Sequence, residues 1–273
     1  MKRATAPLVW YAALGVGALL TVLPLWWMLA ASLMPSGEAN SFPPRLWPSR
    51  PTLEHYAALF ERLSVARYAA NSLLVATATT AISLLLNSMA GYAFAKLHFA
   101  GRDRVFRILV AALVIPGQIG MLPLFLMLKQ LGLINTYWAV IIPGMASIFG
   151  IFLVRQYALS IPDTLLDAAR IDGAGEWRIY WELVLPSIRP ILVTLALFTF
   201  MGAWNDFLWP LIVLTDGDLY TLPVALANLV GEHVQDTELM MAGAVVTVVP
   251  VIVLFLALQR FYIAGVMSGS LKE

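Results

Sequence analysis

Residues 160–190 read SIPDTLLDAARIDGAGEWRIYWELVLPSIRP, and the organisation of the whole chain turns on this stretch. It places Asp163, Asp167, Arg170, Asp172, Glu176, Arg178 and Glu182 between two long apolar runs. Ser160 is a good helix N-cap, Pro162 suits a first turn, and Asp163 completes a box-like arrangement that complements the helix dipole. Leu165, Leu166, Ala169 and Ile171 then give a short apolar face. Gly173 and Gly175 end that helix, because glycine accepts the left-handed conformation found at helix C-termini. A second short helix over residues 176–185 follows and is expected to stop at Pro186. At 36 residues, the full polar stretch 155–190 is about three times longer than a simple connection and calls for a function.

Outward from this segment the chain is apolar. Five uncharged stretches, residues 8–33, 68–95, 108–128, 131–154 and 239–259, reach the ~20 residues needed to cross a hydrocarbon core, and a sixth, 191–215, is interrupted only by Asp206. Charged residues make up 12% of the 273, roughly half of what a soluble domain needs to face water. Much of the surface must therefore face lipid, where a helix satisfies its own backbone polar groups. The first stretch follows Lys2 and Arg3, but it exceeds the ~7–15 residues of a cleavable signal core and reads as an uncleaved span.

Basic residues set the expected orientation. With the N-terminus inside, Lys2, Arg3, Lys96, Arg102, Arg104, Arg107, Arg155, Arg170, Arg178, Arg189, Arg260 and Lys272 are cytoplasmic, twelve of the 17 Lys and Arg. Arg45, Arg50, Arg62, Arg67 and Lys129 are outside, and both termini are cytoplasmic. The outer loops are a proline-rich segment, 34–67, ending in an amphipathic stretch at 53–68, and an acidic segment, 216–238, without Lys or Arg.

Several chemistries are excluded or unsupported. The scattered basic residues give no nucleic-acid footprint. Cysteine is absent, and His55, His98 and His233 match no metal-ligand spacing. The only lysines, Lys2, Lys96, Lys129 and Lys272, do not follow glycine, so the phosphate-cradling GxxxxGK[ST] loop is missing. No catalytic residues and no metal site are expected, and any ATP-driven engine must be another polypeptide.

Polar groups inside spans are costly and face a cavity or a partner. Asn205 and Asp206, flanked by Trp204 and Trp209, suit a sugar: hydroxyls take hydrogen bonds while the apolar sugar face packs on an indole. The alternative is that they brace helices or a partner subunit. Gln118, between Pro116 and Pro123, is a second candidate, and Asn71 and Asn87 are weaker ones.

The 160–190 segment also resembles a family signature. Asp167-Ala168-Ala169, three residues, Gly173, nine residues, then Leu183-Val184-Leu185-Pro186 match the EAA loop of bacterial ABC importer permeases, whose pattern is Glu-Ala-Ala, three residues, Gly, nine residues and Ile-x-Leu-Pro. Asp167 and Leu183 are the departures. NSLLVA (71–76), GYAFAKLHFAGRD (91–103), ARIDGA (169–174) and WNDFLWPL (204–211) look like the sugar-importer branch, the maltose-type inner-membrane permeases; the tail GVMSGSLKE (265–273) is similar to that branch's glycine-rich ending without matching it.

The resemblance implies an all-α membrane protein: one permease domain, 1–273, with six transmembrane helices and a cytoplasmic helix–turn–helix coupling loop, 155–190, between spans 4 and 5. It implies that Asp167, Ala168, Ala169, Gly173, Leu185 and Pro186 couple the chain to an ATPase. Implied partners are two copies of an ATP-binding subunit, which hold ATP and Mg, a second homologous permease and an extracytoplasmic substrate-binding protein that could touch the 216–238 loop. The implied place is the bacterial inner membrane, and the implied cargo a sugar, oligosaccharide or polyol-like solute. A non-sugar solute and a secondary transporter are the rivals. The latter usually carries ion-coupling groups and two related halves, whereas here Asp206 is a lone intramembrane acid and no repeat is evident.

Overall fold

A computed structural model describes residues 5–61, 64–232 and 236–268, and among these every regular element is helical. Lys2, Arg3, Arg62, His233 and Lys272 lie outside the described residues. The chain divides into two compact units, Met1–Arg67 with Ala225–Pro250, and Tyr68–Val224 with Val251–Glu273.

In the first unit, α1 (Thr5–Ala31) is a long apolar helix. It leads into the proline-rich segment and α2 (Glu54–Glu61), which falls in the expected amphipathic stretch. His55 is buried, with its Nε2 2.9 Å from the Met34 carbonyl. Buried Glu238, in the first turn of α14 (Thr237–Ser268), accepts the Ala39 amide at 2.7 Å and fastens the start of that helix to the proline-rich segment.

The second unit holds most of α3 (Val65–Lys96), whose 32 residues give 48 Å at about 1.5 Å per residue. The next expected span, 108–128, is broken into α4 (Arg102–Ala112) and, beyond a 3₁₀ turn at Gly117–Gly120, α5 (Met121–Gln130). The two arms bend by 99°. Pro116 explains the break, since it lacks an N–H and disfavours a helical residue before it.

The span expected at 131–154 begins later. Gly132 and Asn135 have positive φ, and the Asn135 side chain accepts the amides of Thr215 and Asp216 at 2.9 Å, so residues 131–136 form a tied turn. The helices are α6 (Tyr137–Gly144) and α7 (Ile148–Ala158), the latter capped by the Ser147 hydroxyl.

After α8 (Asp163–Ile171) and α9 (Glu176–Ile179) come a π turn, Tyr180–Val184, and α10 (Leu185–Ser187). A 78° bend then leads into α11 (Arg189–Trp204), followed by α12 (Leu208–Val213) and, within the acidic segment, α13 (Leu222–Glu232). Among the described residues, four helices are long and apolar enough to cross a membrane, or six when each bent pair is counted as one span.

Candidate functional site: a polar helix–turn–helix and a walled cavity

Three of the local expectations for residues 160–190 change in the structure. Ser160 does not cap α8; its hydroxyl donates back to the Tyr157 carbonyl at 2.7 Å, and Pro162 occupies the cap position. Asp163 does not close a capping box either. Its Oδ1 accepts from the Lys96 Nζ at 2.7 Å, a charge-assisted bond that outweighs a backbone cap. That bond holds the Asp163 carboxyl below its ordinary range. Pro186 does not stop the second helix. The π turn just before it bonds the Leu185 amide to the Tyr180 carbonyl, five residues back, and this wider turn gives room to the proline ring, which would otherwise clash with the carbonyl of Glu182.

The turn itself forms as expected. Gly173 sits at φ +83°, and the amide of Ala174 donates to the Ala169 carbonyl at 2.9 Å, closing the end of α8. Leu166 faces inward and is buried, while Asp167 and Ala168 face out. Asp167 bonds to Arg170 at 2.8 Å, and Arg170 also donates to Glu176 across the turn at 2.8 Å. The hydrogen bond to Glu176, followed by the one to Asp167, raises the Arg170 pKa above its ordinary value. The outer surface carries apolar groups amid these charges: Ile171 is 86% exposed at the turn, and Trp177 62%. Leu185 and Pro186 lie at the far end of the segment, half-buried and exposed.

The second feature is a cavity of about 620 Å³. α3 supplies Thr79 and Ser83, the break between α4 and α5 supplies Gln118, and the α11–α12 junction supplies Asp206 and Trp209. Exposed backbone at a helix break is tolerated at membrane depth where it borders a cavity, which accounts for Gly117 and Gln118 standing at its wall. The structure thus joins Gln118 to Asp206, 88 residues apart in sequence, at one concave surface. Asp206 also receives the Trp209 amide at 3.4 Å, so it helps to start α12.

Trp204 and Asn205 do not line this cavity. Trp204 is buried and stacked on Phe200, with ring centroids 5.9 Å apart. Asn205 donates to the Met201 carbonyl at 2.9 Å at the end of α11. Trp209 is the indole that does face the cavity, held by its N–H donating to the Ala139 carbonyl at 2.9 Å. Asn71 and Asn87 are braces. Asn71 donates to the carbonyls of Asp218 and Tyr220 and accepts the Tyr137 hydroxyl; Asn87 donates to Ser83 and accepts the Ser147 amide. Thr79 and Ser83 escaped the sequence reading because a hydroxyl in a long apolar helix usually bonds its own backbone, and nothing local marks one that borders a cavity.

The fold is all-helical, with apolar spans, two of them broken, and a cavity whose mostly apolar wall carries a few polar groups, and comparison with known proteins places it among membrane permeases. Residues 87–267 match the family described as binding-protein-dependent transport system inner membrane component. The arabinooligosaccharides transport system permease AraQ of Halalkalibacterium halodurans is 39% identical, with both chains covered fully. The lactose transport system permease LacG of Rhizobium radiobacter is 31% identical over 100% of this chain and 98% of its own. Among solved structures, a bacterial ABC transporter involved in the import of the acidic polysaccharide alginate superposes with a TM-score of 0.85 at 23% identity, covering 96% of this chain and 99% of that one. The chain belongs to the family of inner-membrane permease components of binding-protein-dependent transport systems. It is a transport subunit rather than an enzyme.

Proposed function

We propose that this chain forms half of the translocation path of an ABC importer for a sugar or oligosaccharide, with residues 155–190 as its coupling loop. In this reading six spans, residues 8–33, 68–95, 108–128, 131–154, 191–215 and 239–259, cross the inner membrane as one permease domain, 1–273, with N- and C-termini in the cytoplasm. A second homologous permease completes the path. Two copies of an ATP-binding subunit hold ATP and Mg, and an extracytoplasmic binding protein delivers the solute.

The observation that supports the coupling role is the polar helix–turn–helix closed at Gly173 (φ +83°), whose outer face exposes Ile171, Trp177 and Leu165 together amid charges. Ala168 adds no bulk on the outer face of α8, so a partner can approach closely. Asp167 adds a charge for a basic group, and Gly173 holds the turn. Leu185 and Pro186 carry movement of the loop into α11.

For the solute, the substrate names of the relatives together with a cavity wall of hydroxyl, amide, carboxylate and indole groups favour a carbohydrate. Gln118 and Asp206 are the side chains placed to hydrogen-bond it, and Trp209 the ring placed to stack on it. Trp204 and Asn205 support the break that presents Asp206.

Affinity purification of the chain from its native membrane, with and without Gly173→Arg, tests the coupling role. An ATPase and a second permease are expected with the wild type, and loss of the ATPase with the variant. A wild-type chain that moves solute without any ATPase overturns the reading. Uptake of labelled oligosaccharides against a labelled amino acid tests the solute class, and preference for the amino acid overturns that part.

A further inference from the structure

We propose that α3 is a second arm, beside the Leu185–Pro186 link into α11, that carries movement of the coupling loop to the cavity, with Ser88 and Tyr92 as positioning residues. This rests on the coupling-loop reading above, and goes beyond it in naming the element between loop and path.

At one end of α3, three polar side chains at four-residue intervals hold three successive parts of the loop. Lys96 donates to the Ile161 carbonyl at 2.6 Å and to Asp163 at 2.7 Å, fixing the entry to α8. The Tyr92 hydroxyl donates to Glu176 at 2.7 Å, fixing the first residue of α9. The hydroxyls of Ser88 and Tyr180 share a 2.7 Å hydrogen bond, fixing the π turn. Spacing of i, i+4, i+8 puts all three on one face of a helix, over a rise of about 12 Å. Tyr92 and Ala95 also belong to one buried apolar cluster with Leu166, Ile179, Tyr180 and Val184 of the loop segment.

Further along the same helix, Ser83 and Thr79 stand at the cavity wall. Asn87 lies between the two sets and bonds to Ser83 at 2.6 Å and to the Ser147 amide at 3.0 Å, at the start of α7. A rigid helix thus has the loop on its inner half and the cavity on its outer half, without an intervening break between Ser83 and Lys96. The route through Leu185 and Pro186 into α11 passes a π turn and a 78° bend, and α3 adds a second route without either. Coupling between distant sites needs a physically connected element that both sites bias, and α3 meets that condition.

The experiment uses the assembled transporter in proteoliposomes, measuring solute moved and ATP hydrolysed together. In Tyr92→Phe combined with Ser88→Ala, ring packing stays and both hydroxyls go. The solute moved per ATP is expected to fall at least about fivefold, the loss of roughly one net hydrogen bond's worth of coupling, with the ATPase still co-purifying. An unchanged ratio overturns the proposal. Should the double variant fail to assemble, Tyr92→Phe alone is read in the same assay, with an unchanged ratio again overturning it. Gly173→Arg separates the two readings. If that variant retains the ATPase, the coupling-loop reading fails and this proposal falls with it; if it loses the ATPase while the Tyr92→Phe ratio is unchanged, only the role of α3 fails.

Discussion

The outer face of the loop segment and the wall of the cavity, both reached from α3, are built by opposite kinds of contact. The outer face of residues 160–190 carries exposed ion pairs among near neighbours, Arg170 with Asp167 and Glu176, over an inner face packed on α3. The cavity is held by close packing and by buried side-chain hydrogen bonds that reach across the fold: the Asn87 amide oxygen accepts from the Ser147 backbone N–H, and the Trp209 indole N–H donates to the Ala139 carbonyl. A surface made of exposed ionic contacts changes shape at little energetic cost, because each exposed pair contributes only about 0–1 kcal/mol. A buried wall does not. The contrast suits the proposed roles, a loop that follows a moving partner and a path that keeps its geometry while being tilted.

The difference can be broken first at the buried end. At Gly91 an added Cβ would stand 2.6 Å from the Val154 Cγ1 and 3.0 Å from the Arg155 amide nitrogen, backbone that cannot step aside. Gly91→Leu is expected to destabilise the chain by about 3 kcal/mol through overpacking, read as a lowered unfolding temperature in detergent. Ile171→Asp should do the reverse. Its side chain is 86% exposed, so stability stays within about 0.5 kcal/mol. ATPase capture is expected to weaken by about 2 kcal/mol, roughly thirtyfold, in a pull-down titration. A variant that binds the ATPase normally would remove Ile171 from the interface.

Smaller effects sharpen the comparison. Gln118→Ala removes the amide proposed to hydrogen-bond the solute and should cost about 1 kcal/mol, near a fivefold loss in apparent solute affinity, with ATPase capture unchanged. Unaltered uptake kinetics would place the solute elsewhere. The smallest effect is one of pH. Lys96 lowers the Asp163 pKa from its ordinary 3.8, so the contribution of this bond is fully present above that value and is lost as pH falls through the lowered one. Hydrogen exchange at the start of α8 should quicken only below about pH 4, and Asp163→Asn should remove the dependence.

The long apolar stretches were legible because crossing lipid requires them, and the spaced motif from Asp167 to Pro186 was legible because its residues are neighbours. Boundaries inside the spans were less so. The break after Ala112 turns on Pro116, which the sequence displays, but the 99° bend depends on what receives the freed backbone. Asp206 and Gln118 were identifiable as costly polar groups in apolar runs, whereas Trp204 and Trp209 look equivalent on the page. Only the fold buries one against Phe200 and turns the other to the cavity.

Sequence by itself determined the class of the protein, since hydropathy and helix-end signals act over a few residues and need no long-range contact to be read. It also determined the turn at Gly173, where backbone sterics leave glycine as the favoured residue. Tertiary structure alone decided the partners of Lys96, Tyr92 and Ser88. Each is an ordinary polar residue on a helix, and its role exists only because the chain returns, between 65 and 92 residues later, to bring a carboxylate, a carbonyl or a hydroxyl within hydrogen-bonding distance.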